Sequence, residues 1–287
     1  MFFFTAMPPK NPKTVEENCK YCNISYMNEE TIKLLEKRRS LRSFSSEPIE
    51  KEVLDKMKRL TLRAPSAGNM NMYSIIEVTD PEIKKELATL CDNQMMIAKA
   101  PGVWVFVADM ERWFNWMKKG GSAERIGKPV RQPGIGDFHL CMQDAIITAH
   151  NAVIAAEALG MGSCYIGDVI ENYEKMQKLL NLPSLAAPAA MIIFGKEKAP
   201  QTAPMTLRPE PEYFFMENGY RVQTPEECLE MYKAHEDSYR ARGVLPNNNT
   251  GTYADYYFNR KYTSEFMDEM NRSAEVFMRR WCEEIKD

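Results

Sequence analysis

The chain has 287 residues and a formal net charge of −3, and 44% of its residues are hydrophobic. That length allows one large domain or two small ones with a substantial core. The slight acidity is unlike that of a nucleic-acid-binding protein, which normally carries a basic surplus, so we expect no nucleic-acid partner. No apolar run reaches the roughly 18 residues that cross a bilayer, and the first residues carry no export signal, so we also expect no membrane partner.

The seven cysteines show no regular spacing, which is typical of free thiols in a cytoplasmic protein. Cys19 and Cys22 form a C-x-x-C pair, but no second pair or histidine follows at ligand spacing and no strand precedes it. We therefore expect no metal site. Residues 1–27 are predicted to be an N-terminal extension, with disorder as an open alternative.

Helical and strand-like patterns alternate along the chain. Apolar periodicity and turn residues predict a loop over 64–71, helices over 28–37, 50–63, 81–93, 139–160 and 171–182, and strands over 73–80, 102–109 and 189–197.

Three further segments have distinct characters. Residues 110–138 mix aromatic residues, charges, glycines and prolines, which is typical of a mobile lid. Helix 139–160 is apolar on nearly all faces, which indicates a core helix or a subunit interface, and we predict that its His150 is a hydrogen-bonded core residue. Helices 224–242 and 262–286 have few apolar residues, which favours packing on a partner subunit.

The segment RRSLR (38–42) places three arginines and a serine between two predicted helices. Arginine binds phosphate through paired hydrogen bonds and a serine hydroxyl adds another, so the segment suits a phosphate monoester. The alternative is a solvated helix end, where basic residues favour the negative end of the helix dipole. The motif alone leaves both open. The glycines of GMGSCYIG (160–167) close a helix rather than open one, which argues against a dinucleotide-binding loop.

Four segments, in their order and spacing, resemble the FMN-dependent nitroreductase family. They are the arginine–serine segment, APSAGNMNMYSIIEV (64–78), NQMMIAKAPGVWVFVAD (93–109) and QDAIITAHNAVIAAEALGMGSCYIGD (143–168). The similarity covers roughly residues 28–215. The chain departs from the family at Asn71-Met72-Tyr73, where Gln-Pro-Trp is usual, and at Thr206, where a lysine is often found.

The resemblance implies an α+β fold, in which helices flank a mixed β-sheet, and an intertwined homodimer with FMN at its interface. Residues 28–287 would form one FMN-binding domain, with a lid at 110–138 and a C-terminal extension at 216–287.

The resemblance also implies the residues that bind FMN. They are Arg38, Arg39, Ser40, Arg42 and Arg208 at the phosphate and ribityl chain; Pro65, Ser66 and Asn69 at the isoalloxazine ring; Asn93 and Gln94 at the pyrimidine edge or ribityl chain; and Tyr165, Ile166 and Gly167, with the Gly167 backbone near flavin N5. It implies no catalytic acid or base.

The implied reaction is ping-pong hydride transfer from NADH or NADPH through FMN N5 to nitroaromatic, quinone or flavin acceptors. The loop 244–253 contains no Arg or Lys, although Arg242 is near, which favours a permissive or NADH-using enzyme. In the lid, Trp113, Phe114 and Trp116 either stack on aromatic acceptors or pack the lid onto the core.

Two alternatives stay open. One is a specialised reductase of the same fold, such as a reductive dehalogenase, for which Arg112, Lys118 and Glu124 are loose candidates to hold a zwitterionic substrate. The other is a flavin-binding or regulatory protein without turnover, which the departures at 71–73 and at Thr206 would fit.

Overall fold

A computed structural model of the chain describes residues 28–202, 204–245 and 251–283. Cys19, Cys22 and the rest of the predicted extension lie outside the described residues, as do residues 246–250 of the predicted nucleotide loop. The chain divides into two units, Met1–Lys37 and Arg38–Asp287. In the first, helix α1 (Glu29–Lys37) has acidic residues in its first turn and Lys37 in its last, and both favour the helix dipole.

The second unit is built around a four-stranded sheet with the order β1-β2-β4-β3, in which neighbouring strands run antiparallel. The strands are β1 (Tyr73–Glu77), β2 (Gly102–Asp109), β3 (Gly162–Ile166) and β4 (Ala186–Gly195). Both central strands, β2 and β4, are buried along their whole length, which explains their unbroken apolar sequences.

Ten α-helices of this unit are described. They are α2 (Lys51–Thr61), α3 (Pro81–Leu90), α4 (Met96–Lys99), α5 (Glu111–Lys119), α6 (Ser122–Ile126), α7 (Ile135–Ala158), α8 (Tyr173–Leu180), α9 (Pro225–Ala241), α10 (Tyr253–Tyr257) and α11 (Glu265–Cys282).

The two faces of the sheet form separate cores because successive residues of a strand point to opposite faces. Val105 and Ile193 pack in one cluster with residues of α3, α4 and α8. Phe106 and Ile192 pack in the other cluster with residues of α2 and α7. The predicted α+β fold, with helices flanking the sheet, is confirmed. In the described residues, its mixed character is confined to a parallel bridge between Ser40 and Ser163.

The predicted lid is more regular than its composition suggests. It contains α5 and α6, and α7 begins inside it at Ile135 rather than at residue 139. Gly121 and Gly127 have φ of 71° and 69° and flank α6, so these glycines end helices rather than mark a long loop. Asp137 then fixes the start of α7, since its carboxylate accepts from the Gly134 N–H at 2.8 Å.

Helix α7 is buried on one side only. Ala145, Ala149 and Ala152 are buried on the side that faces the sheet, while Ile146 and Ile147 are about 40% exposed. His150 is exposed, so the prediction of a core histidine is wrong. The sequence shows apolar residues all round this helix, and it does not reveal which of them the chain's own sheet covers.

The last helix packs on its own chain, contrary to the prediction that it needs a partner subunit. Phe277 and Trp281 of α11 are buried, with ring centroids 5.4 and 5.1 Å from that of Phe138. These two large aromatic side chains lie one turn apart and pack the helix onto the core of its own chain. The small number of apolar residues in the helix had argued against such packing.

Within the described residues, no helix combines the length and the apolar character that crossing a membrane requires.

Candidate functional site

The arginine–serine segment lies along the edge of β3. The Leu41 N–H donates to the Ser163 carbonyl at 2.8 Å, and Ser40 bridges to Ser163. This approach depends on Gly162, because a Cβ there would lie 2.6 Å from Leu41 Cδ2. The missing side chain of Gly162 therefore lets the buried Leu41 anchor the segment.

Arg38, Ser40 and Arg42 lie close enough to Cys164 and Tyr165 of β3 to act on their side chains. Burial raises the pKa of the Cys164 thiol, while the positive charge of Arg42 and a hydrogen bond with Ser40 act to lower it. Burial also raises the pKa of Tyr165 to about 12, and the charge of Arg38 opposes that rise. Arg38, Ser40 and Arg42 thus lie beside β3 and form a cationic edge that is suited to an anionic ligand.

Arg39 has a different role from its neighbours. Its Nη2 donates to the Gln201 carbonyl at 3.1 Å, which ties the arginine segment to the stretch that follows β4.

The end of β3 borders open space. A Cβ added to Gly167 would meet no atom within 4 Å, and the Gly167 backbone leads into a 3-10 turn over Asp168–Ile170. The buried Ser163 hydroxyl, next to the cationic edge, has no hydrogen-bond partner. A cationic edge, an orphaned hydroxyl and an open backbone stretch fit the phosphate and the flat ring of FMN.

The loop that carries Pro65, Ser66 and Asn69 is held by α7. The buried Asp144 carboxylate accepts from the Ala67 N–H at 2.8 Å and from the Met72 N–H at 3.1 Å. Our sequence reasoning did not identify Asp144, although an acidic residue in so apolar a helix was a usable signal.

The same loop has an unusual backbone. Gly68, Asn69 and Asn71 have φ of 56°, 58° and 52°, a left-handed conformation that glycine and asparagine tolerate best. The Ser66 hydroxyl accepts from the Asn71 N–H at 3.1 Å and stabilises this turn. The turn residues of this segment are thus required by its geometry.

Asn93 and Gln94 lie in the turn after α3. Asn93 also has a positive φ of 54°. The side chain of Asn172 donates to the Leu90 carbonyl at 3.1 Å, which ties the start of this turn to the segment that follows Gly167. Two of the predicted flavin-contacting segments are therefore linked in the structure.

Arg208 is not part of this arrangement. It donates to the neighbouring Leu207 carbonyl at 2.9 Å, and that carbonyl also contacts His235 Nε2 at 3.1 Å. Among the described residues, no hydrogen bond or ion pair joins Arg208 or the 64–71 loop to Arg38, Ser40 or Arg42.

The lid aromatics divide between packing and exposure. Phe114 is buried in the core, as the packing alternative predicts, and Trp116 is 66% exposed. Trp113 Nε1 donates to the Met70 carbonyl at 2.7 Å, which fastens α5 to the 64–71 loop. Arg112 donates to the carbonyls of Asn71 and Tyr73 at 2.7 and 2.9 Å, which occupies the side chain considered for a zwitterionic substrate.

Fold and site together define an α+β protein with a cationic edge beside a four-stranded sheet. The sequence profile of the nitroreductase family matches residues 35–196, more than half of the chain. The FMN reductase (NADPH) of Bacillus subtilis (strain 168) is 30% identical over 223 residues, which cover 74% of this chain and 84% of that protein. This chain belongs to the nitroreductase family.

Solved structures agree with this assignment. The NfrA1 nitroreductase from B. subtilis matches with a TM-score of 0.71 and 27% identity, over 86% of this chain and 98% of that one. The NADPH:FMN oxidoreductase from Vibrio harveyi, complexed with NAD+, matches with a TM-score of 0.69 and 22% identity, over 86% and 97% of the two chains. The second likeness is one of fold alone.

Proposed function

We propose that this chain is an FMN-dependent oxidoreductase that takes a hydride from NADH or NADPH and reduces nitroaromatic, quinone or flavin acceptors in a ping-pong cycle. The observation that carries the proposal is the arginine–serine segment on β3, with open space in front of Gly167 beside it. When bound there, FMN supplies the redox chemistry, because its ring accepts the hydride and passes the electrons on.

The chain's own residues bind and orient the cofactor. Arg38 and Arg42 supply positive charge and hydrogen bonds for the phosphate, and Ser40 supplies a hydroxyl. Arg39 keeps the segment in register through its hydrogen bond to Gln201. We assign the Gly167 backbone N–H to the ring edge near flavin N5, and the open space around Gly167 supports this assignment. The remaining proposed contacts are Pro65, Ser66, Asn69, Asn93, Gln94, Tyr165, Ile166 and Arg208.

We further propose that 28–287 forms one FMN-binding domain that acts as a homodimer. The exposed apolar stripe of α7, which consists of Leu140, Ile146 and Ile147, supports this, because a second copy would cover it. A second copy could also bring the 64–71 loop and Arg208 to the arginine segment, to which no hydrogen bond or ion pair among the described residues of one chain joins them. The buried free thiols of Cys91, Cys141 and Cys164 support a reducing compartment such as the cytoplasm.

Anaerobic reduction of the flavin tests this function. We expect the purified protein with FMN to be yellow, and NADH and NADPH each to bleach the flavin band in stopped-flow absorbance, at rates within roughly tenfold of each other because the described part of the nucleotide loop lacks a basic group. A quinone or nitroaromatic should then restore the colour.

Two results would contradict it. A yellow protein that neither nucleotide bleaches would be a flavin-binding protein without turnover. A protein that stays colourless after incubation with FMN would show that the cationic edge holds something else. If NADPH reduced the flavin about a hundredfold faster than NADH, only the proposed lack of nucleotide preference would be wrong, and the proposed reaction would stand.

A further inference from the structure

Glu171 is a buried acidic residue close to the proposed flavin site. It directly follows the turn Asp168–Ile170, which begins after Gly167. Only 6% of the residue is exposed, and its Oε1 has no hydrogen-bond partner. A buried, ionised carboxylate without a partner is costly, so this position favours the neutral acid.

Other acidic residues converge on Glu171 from three segments. They are Asp168 in the turn that precedes Glu171, Asp92 in the turn after α3, and Glu269 on α11. Lys261, from the stretch Phe258–Tyr262, is the positive charge that acts against them. In this cluster, ionised Glu171 would add a further negative charge to a site that already holds several.

Arg272 pairs with two other carboxylates of this region, and no ion pair of Glu171 is found among the described residues. Arg272 is shared between Glu269 at 2.8 Å and Glu174 of α8, also at 2.8 Å. Burial raises the pKa of the neighbouring Cys91 thiol, as do the charges of Asp168 and Glu171, so this thiol adds no charge near neutral pH. The described residues contain no group of three or more His, Cys, Asp or Glu arranged to hold a metal ion.

Protonation of Glu171 removes its negative charge from this acidic cluster. Burial, followed by the charges of Asp168, Asp92 and Glu269, raises the pKa of Glu171 to about 7. The proton of this carboxyl is then gained and lost near neutral pH.

Hydrogen bonds of Asn172 connect Glu171 to the proposed site. The Asn172 N–H donates to Glu269 at 3.0 Å, and its side chain donates to the Leu90 carbonyl. The residue next to Glu171 thus joins the turn after β3, the turn after α3 and α11. Gly167 directly precedes the first of these segments, and Asn93 lies in the second.

We propose that Glu171 is a positioning residue for the flavin site: with its proton it lets the turn after β3, the turn after α3 and α11 pack together, and without it charge repulsion loosens them. The link to flavin rests on the function proposed above, because Gly167 and Asn93 are assigned to FMN there.

The direction of the pH effect follows from the raised pKa. Folded Glu171 holds its proton more tightly than the unfolded chain does, so the stability it contributes is complete in acid and is lost as the pH rises towards about 7. FMN affinity should decline over the same range.

The test combines two measurements at pH 6, 7 and 8: the Kd for FMN by fluorescence titration, and the thermal unfolding midpoint of the protein without FMN. We expect wild type to lose roughly tenfold in affinity, and to unfold at lower temperature, as the pH rises. Glu171→Gln should remove the decline that Glu171 causes in both measurements and keep the tight-binding values. The FMN phosphate, whose second pKa is about 6, changes affinity in both proteins alike, so the two are compared at each pH. Glu86→Gln, an exposed control on α3, should behave as wild type.

A second variant guards against misfolding of the first. Asp92→Asn removes one repelling charge, so the pH transition of both measurements should move to lower pH. The proposal is overturned if Glu171→Gln keeps the wild-type pH dependence, or if Asp92→Asn leaves the transition unmoved. If no form binds FMN but the unfolding midpoints behave as expected, the proposed function fails and the role of Glu171 in positioning the three segments is supported.

Discussion

At the scale of single residues, several residues around the proposed site fix the position of its backbone segments and take no part in a reaction themselves. Asp144 accepts from two N–H groups of the 64–72 stretch, and Gly162 makes room for Leu41. Both act between residues that are far apart in sequence. Charge and composition therefore indicate where a ligand binds, and long-range contacts determine how the binding segments are held.

Replacing Asp144 should loosen the 64–71 loop. Asp144→Ala leaves the N–H groups of Ala67 and Met72 without their acceptor, so we expect a loss of about 2–4 kcal/mol in the free energy of unfolding. Asp144→Asn keeps one acceptor oxygen and should lose less. Urea denaturation measures both, with Glu52→Ala, an exposed position on α2, as the control. If Asp144→Ala unfolds like the control, the carboxylate does not anchor the loop.

At the scale of elements, helix α7 combines a core face and an exposed apolar face. The small residues Ala145, Ala149 and Ala152 let it approach its own sheet closely, while Ile146 and Ile147 stay exposed. One face of such a helix packs in the core of its own chain, and its exposed apolar face can pack against a second chain. The proposed homodimer depends on this second face.

A charge on the exposed face should separate the subunits. We expect wild type to sediment as a dimer at micromolar concentration, and Ile147→Glu to sediment as a monomer, because the charge would have to be buried without a partner. Ile126→Glu, on the 70% exposed side chain of α6, is the matched control and should remain dimeric. A dimer that persists unchanged in Ile147→Glu would place the interface elsewhere.

Several elements could be predicted from local pattern, and others could not. The unbroken apolar runs of β2 and β4 indicated central strands, because burial of both faces removes any alternation. Helix α5 was missed because its glycine- and proline-rich surroundings masked a short helix that buries Phe114. The packing of α11 was missed because Phe277 and Trp281 are few in number but large in buried surface.

At the scale of the whole molecule, the site lies where segments distant in sequence meet. Residues 38–42 and 162–167 are joined at the edge of the sheet, and the end of α3 at Leu90 is tied to the segment after β3. The resemblance to the nitroreductase family anticipated the first of these meetings. The strand order β1-β2-β4-β3 and the tie through Asn172 are set by nonlocal packing, which no local periodicity records.

The central claim is that the arginine segment binds the phosphate of FMN, and equilibrium titration with FMN tests it most directly. Arg38→Ala and Arg42→Ala should each give a folded protein whose Kd for FMN is roughly ten- to a hundredfold weaker, because each loses a charged hydrogen-bond donor. Arg59→Ala, an exposed arginine on α2, should bind as wild type does. Wild-type affinity in both Arg38→Ala and Arg42→Ala would contradict the account and leave the segment as a solvated run of charge.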